Sequence, residues 1–205
     1  AVNLSPVQLR LPDLVETVVS ALAEAGLPPE RLELELTETA MIDNIASASS
    51  MLQQLRAMGV TIALDDFGTG YSSLSFLRTL PFDRIKIDRS FVQDLGTRQE
   101  ASAIVSAITG LCSSLGIAVT AEGVETDRQI DLLRELGCSD VQGYRIGRPC
   151  SAPALLEWLA AFTASHACGR TTPEDRVAHP GTDARPDIVD AAFSSRRPDA
   201  VQAQG

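Results

Sequence analysis

The sequence of 205 residues is poor in histidine, cysteine and aromatic side chains: two histidines, four cysteines and 4% aromatics. Both histidines, His166 and His179, lie near the C-terminus. The body therefore has no histidine base and no histidine ligand for zinc. Chemistry there must run on carboxylates, lysine, hydroxyls or a metal held by oxygen. Cys112, Cys138, Cys150 and Cys168 form no C-x-x-C pair, which excludes a zinc knuckle and a thioredoxin-like centre. Cys112 and Cys138 stand among apolar residues, as small buried hydrophobes do, and a reducing setting is expected. Positive charge is also short: 17 basic residues face 27 acidic ones, a net charge of −10. That balance argues against gripping nucleic acid or anionic lipid through general electrostatics. No signal peptide and no apolar run of membrane-spanning length stands out, so the expectation is a cytoplasmic protein without a membrane segment.

What is present is ample apolar material, 44% of the residues, arranged with clear period as far as Ser165. Residues 166–205 contain no leucine and four of the eleven prolines. Such a segment buries too little apolar area to offset its ordering entropy and is expected to be a disordered tail. A short docked helix around Asp187–Phe193 is the alternative. The body, 1–165, alternates strands and helices. Strands are expected at about 31–36, 60–65, 84–88, 117–122 and 139–143, with the end of a sixth at Ala1–Asn3. Helices are expected over Pro12–Glu24, Asp43–Met58, Ser72–Thr79, Glu100–Leu115, Asp127–Leu136 and Ala152–Thr163. Repeated βα units with short connections imply a parallel sheet covered by helices. The fold class is therefore α/β, either an open doubly wound sheet or a TIM-type (β/α) barrel that is N-terminally incomplete, with about six of eight strands. Glu35, Asp65, Lys86, Glu122 and Gln142 all fall near the C-terminal ends of successive strands. That is where barrel enzymes build their sites, and it favours the barrel.

In RLELELTE, Leu32, Leu34 and Leu36 alternate with Glu33 and Glu35, so the acids share one strand face. In a parallel sheet flanked by helices that face points into the barrel, where an acid must be paired, protonated or bound to metal. Asp65-Asp66 ends the next strand and runs into Phe67-Gly68-Thr69-Gly70. Adjacent carboxylates repel unless a cation holds them, though a capped turn is the plainer reading. The glycines allow close approach to a phosphate or a mobile loop. In RIKID, Lys86 and Asp88 alternate with Ile85 and Ile87 and are expected on the lumen face. Lys86 either makes a structural ion pair or orients a water and neutralises a phosphoryl group. Glu122 ends a strand, Glu125 is placed to cap or charge the next helix, and Gln142 closes the last strand with Gly143 leaving room beside it. Oxygen donors of this kind suit Mg²⁺, Mn²⁺ or Ca²⁺. Several acids around such ions fit metal-assisted phosphodiester hydrolysis.

At these residues the sequence closely resembles the EAL-domain family of bacterial cyclic-di-GMP phosphodiesterases. The resemblance rests on Asn3-Leu4-Ser5, E-L-T-E at Glu35–Glu38, DDFGTGYSSL from Asp65, K-I-D at Lys86–Asp88, AEGVE at Ala121–Glu125 and QGY at Gln142–Tyr144. It implies a barrel in which Asn3, Glu35, Asp65 and Asp66 hold one or two Mg²⁺ or Mn²⁺ ions. Glu122 then completes the metal shell or acts on the attacking water, and Lys86 positions that water. Glu38 anchors the Asp66–Ser73 loop, which in the family links the metal site to a homodimer. Asp88, Glu125 and Gln142 support the site, and Gly68 and Gln142 are the expected substrate contacts. The implied reaction is hydrolysis of cyclic-di-GMP to linear pGpG. A cyclic-di-GMP-binding or protein-interaction module without catalysis is the alternative. The Glu-Ala-Leu segment that names the family does not occur in these residues, so a metal-ligand glutamate and two strands are expected upstream. A sensory or GGDEF domain in a longer parent protein is expected there as well.

Overall fold

The computed structural model describes residues 1–41, 45–69, 77 and 79–167. The strands are β1 (Val2–Asn3), β2 (Glu33–Thr37), β3 (Thr61–Phe67), β4 (Arg84–Ile87), β5 (Ala118–Ala121) and β6 (Asp140–Val141). Among the described residues all five pairings are parallel and the order is β1-β2-β3-β4-β5-β6, with no strand out of sequence. Sequential order with βα steps is the arrangement of a TIM-type barrel wall; a doubly wound sheet would reverse its strand order part-way. The helices between them are α1 (Leu14–Ala25), α2 (Ile45–Ala57), α3 (Arg89–Gln93), α4 (Gln99–Leu115), α5 (Asp127–Glu135) and α6 (Ala152–Ala167).

Leu34, Leu36, Ile62, Leu64, Ile85, Ile87 and Val119 point to the helix side and are almost fully buried, with Leu52, Leu55, Val92, Val105 and Leu133 facing them from the helices. Period-2 alternation in the strands and period-3.6 stripes in the helices make this single core. Gly26 and Gly116 end α1 and α4 in the left-handed conformation. Thr126 starts α5 through a capping box with Gln129. Glu125 is expected to cap or charge the start of this helix; the side-chain cap is Thr126, whose hydroxyl accepts the Gln129 amide, and Glu125 precedes it with its own amide donating to Gln129 Oε1.

β3 continues two residues past its expected end, and β4 stops one residue early. Asp88 is not a lumen residue of β4; it caps α3, its carboxylate accepting the Ser90 amide at 3.0 Å. The sequence reading missed α3 because five residues are too few to show a helical period. α6 runs two residues beyond the expected boundary at 165. The rest of the expected tail, including Asp187–Phe193, lies outside the described residues, as does most of the helix expected over Ser72–Thr79. No helix among the described residues is long and apolar enough to cross a membrane.

Candidate metal centre and active site

β2, β3, β4 and β5 deliver Glu35, Asp65, Lys86 and Glu122 to one point at the C-terminal end of the sheet. Lys86 Nζ lies 3.0 Å from Glu35 Oε1, 3.0 Å from Asp65 Oδ1 and 2.6 Å from Glu122 Oε1. Glu35 and Lys86 are only 7% and 4% exposed, so this is a desolvated arrangement. Glu122 follows β5 and extends its pairing, its amide donating to the Ile87 carbonyl at 3.0 Å. One oxygen each from Asp65, Asp66 and Glu122 lies within 4.8 Å of the others, close enough to share a cation. Asn3 is exposed on β1 in register with Glu35, and so shares its sheet face.

Asp66 joins this group through an irregularity. Between the pairs Leu64↔Ile85 and Phe67↔Ile87, β3 carries one residue more than β4. Asp66 takes up the extra length at φ 54°, a left-handed conformation that Asp tolerates better than most residues. Two consecutive side chains thereby reach one cluster.

Burial would lower the Lys86 pKa, but its hydrogen bonds to Glu122, Glu35 and Asp65 hold it well above the ordinary lysine value. Those hydrogen bonds favour its ammonium form. Burial pushes Glu122 up; the Lys86 hydrogen bond opposes this, and the charges of Asp65 and Asp66 add to the rise. Asp66 is raised by burial and then by Asp65 and Asp88. Four carboxylates face one ammonium here. That surplus of hard oxygen charge fits Mg²⁺ or Mn²⁺, with Asp65, Asp66 and Glu122 as the residues that would hold it and Glu35 beside them.

The other expected residues lie around the rim. Glu38 Oε1 accepts the Gly68 amide at 3.0 Å and so holds the start of the loop after β3; residues 70–76 of that loop lie outside the described residues. Gly68 sits at φ 99°, and a Cβ there would stand 2.7 Å from the Phe91 ring. The geometry thus accounts for this glycine by its own packing. Gln142 is exposed; its amide donates to the Ala121 carbonyl and its carbonyl accepts the Val124 amide. The room beside Gly143 is filled by Val124 backbone, 2.2 Å from where a Cβ would stand. Glu125 is exposed, and its amide donates to Gln129 Oε1 at 2.9 Å. Lys86, already expected at the site from its strand position, is also the chain's one lysine. One residue escaped the sequence reading: Arg84 shares the lumen face with Lys86, and the alternation of RIKID was signal enough to find it.

Carboxylates and a buried lysine at the C-terminal end of consecutive parallel βα units define a barrel-type protein with an oxygen-rich acidic cluster where barrel enzymes place their sites. The chain belongs to the EAL domain family, whose family model matches residues 1–149. It is 46% identical over 162 residues to the cyclic di-GMP phosphodiesterase NbdA of Pseudomonas aeruginosa, covering 79% of this chain and 21% of NbdA. The bifunctional diguanylate cyclase/cyclic di-GMP phosphodiesterase MucR of the same organism is 46% identical over 160 residues, 78% of this chain and 23% of MucR. The solved MucR phosphodiesterase–c-di-GMP complex superposes with a TM-score of 0.70 at 45% identity, covering 75% of this chain and 62% of that one. A manganese/cy-diGMP complex of Klebsiella pneumoniae BlrP1 gives 0.68 at 39% identity, with 72% and 38% covered. The chain spans about a fifth of the length of the curated relatives NbdA and MucR.

Proposed function

We propose that this centre hydrolyses one phosphodiester bond of cyclic-di-GMP to give linear pGpG. The observation that carries the proposal is the Lys86 ammonium held by Glu35, Asp65 and Glu122 beside the Asp65–Asp66–Glu122 oxygen cluster. The solved relatives that bind this nucleotide support the substrate. A bound Mg²⁺ or Mn²⁺ supplies Lewis acidity to the phosphate oxygens.

The chain's own residues do the rest. Asp65 and Asp66 bind the cation through carboxylate oxygens, and Glu35 keeps Lys86 aimed at them. Lys86 orients the attacking water and offsets charge gathering on the phosphoryl oxygens. A Glu122 carboxylate oxygen accepts the proton that the water loses as its oxygen bonds to phosphorus. The sugar oxygen leaves with the electrons of the broken P–O bond and takes up a proton. Glu38 holds the loop that borders this site, while Asp88, Glu125 and Gln142 shape the rim; Gly68 and Gln142 face the nucleotide.

The centre works in a cytoplasmic setting, which the free Cys112, Cys138 and Cys150 support. It works within a longer parent that carries an upstream sensory or GGDEF domain, as the relatives' lengths support. Incubation with cyclic-di-GMP and Mn²⁺, followed by anion-exchange separation of the nucleotides, tests the reaction. Formation of pGpG that disappears in Glu35→Ala is expected. Cyclic-di-GMP left intact at every Mn²⁺ concentration overturns it.

A further inference from the structure

The lumen face carries a second layer of polar groups beneath the metal centre. Glu33 precedes Glu35 by two residues on β2, Arg84 precedes Lys86 on β4, and Thr120 on β5 precedes Glu122. Two residues along a strand are about 6.6 Å, so each lower group stands directly under an upper one. Arg84 joins the lower layer. Its Nε donates to Glu33 Oε2 at 2.9 Å, and its Nη1 donates to Thr120 Oγ1 at 2.7 Å and pairs with Asp140 on β6.

The Glu33 contact skips a strand. β3 lies between β2 and β4; on this face it offers Thr61, in register with Glu33, and the fully buried Ala63, in register with Arg84. A methyl group leaves the guanidinium room to pass; a larger side chain would block it. On the other side the guanidinium passes Thr120 on β5 to reach β6. The planar fork of arginine makes several directed bonds at once, which a lysine ammonium on the same stem cannot match. The Arg84, Glu33 and Asp140 side chains are only 26%, 23% and 33% exposed, so water screens these pairs less than ordinary surface pairs.

We propose that Arg84 is a positioning residue for the metal centre, a clamp from β4 to β2, β5 and β6 that sets the spacing of Glu35, Lys86 and Glu122 one layer above. The clamp rests on reading that centre as the metal site. It acts through strand spacing and touches neither metal nor nucleotide.

Calorimetric titration of Mn²⁺ into the full chain, alongside thermal melts of the metal-free protein, tests it. Arg84→Met leaves Glu33 and Asp140 facing each other without a cation. It is expected to lose stability and to bind Mn²⁺ about tenfold more weakly, the lower end of what support residues of metal sites contribute. The triple variant E33Q/R84M/D140N leaves no unpaired charge. It is expected to regain the wild-type Tm while still binding Mn²⁺ weakly, because no fork spans the strands. Wild-type Mn²⁺ affinity in Arg84→Met, or a triple variant that regains both Tm and affinity, overturns the clamp while the metal site stands. Wild-type protein that takes up no Mn²⁺ overturns the metal-site reading and the clamp with it.

Discussion

Asp65 and Asp66 are consecutive residues of one strand, yet both offer a carboxylate oxygen to a single cluster with Glu122. Regular alternation would send them to opposite faces of the sheet. The extra residue in β3 between Leu64 and Phe67, with Asp66 at φ 54°, cancels that alternation and keeps two like charges together. The protein thus holds a local repulsion that a bound divalent cation would relieve.

Asp66→Asn separates these terms. Asparagine tolerates the left-handed conformation and keeps the side-chain shape. The metal-free variant is expected to melt at or slightly above the wild-type temperature, because a like-charge contact is gone. Its Mn²⁺ affinity is expected to fall at least about tenfold, as loss of a direct ligand exceeds the loss of a supporting one. Thermal melts with and without Mn²⁺ check both.

Removal of Lys86 acts in the opposite sense. Lys86→Met leaves Glu35, Asp65 and Glu122 crowded without their cation, and breaking a buried pair typically costs about 3–5 kcal/mol. Urea denaturation of the metal-free protein at neutral pH should show that loss. Mn²⁺ should restore more stability to this variant than to wild type, while hydrolysis stays abolished. Because Lys86 is the one lysine of these 205 residues and is buried, an amine-reactive label should spare it in the folded protein and reach it after unfolding.

Gly68 is required twice over, by its φ of 99° and by the Phe91 ring. Gly68→Ala is expected to destabilise by about 1–3 kcal/mol. Adding Phe91→Ala should not recover the full wild-type stability, since it relieves the contact and leaves the backbone strain. Urea midpoints of the single and double variants check this.

Asp88 accepts the Ser90 amide at the start of α3, so Asp88→Ala should cost about 1 kcal/mol at neutral pH. Burial opposes its ionisation, but the Ser90 hydrogen bonds, then Arg89, hold its pKa below the ordinary value of 3.8. A group lowered on folding stabilises above its unfolded pKa and loses that contribution as pH falls through the folded one. The stability gap between wild type and Asp88→Ala should therefore be constant from pH 5 to 7, on the order of the cap's worth. It should shrink below pH 3.8, as denaturation at each pH would show.

Burial pushes the Cys112 and Cys138 thiols up to about 11 and about 12, so near neutral pH neither supplies thiolate. Iodoacetamide should alkylate exposed Cys150 in the native protein, and Cys112 and Cys138 only after unfolding. Peptide mass spectrometry reads the order of modification.

The amino-acid sequence by itself determined the order of βα units, the division of β2 into a leucine face and a glutamate face, and the carboxylate-and-lysine character of the site. These are local matters of alternation, helix period and residue type, which neighbours along the chain settle. Tertiary structure alone decided that Asp66 joins Asp65, that Lys86 meets three carboxylates from three other strands, and that Arg84 reaches over Ala63 to Glu33. Each depends on the register between strands far apart along the chain, as in the 51-residue separation of Arg84 and Glu33. The same register made Asp88 a helix cap and turned the space beside Gly143 into a backbone contact. A period of two shows which face a side chain takes, and only the paired strands show whom it meets there.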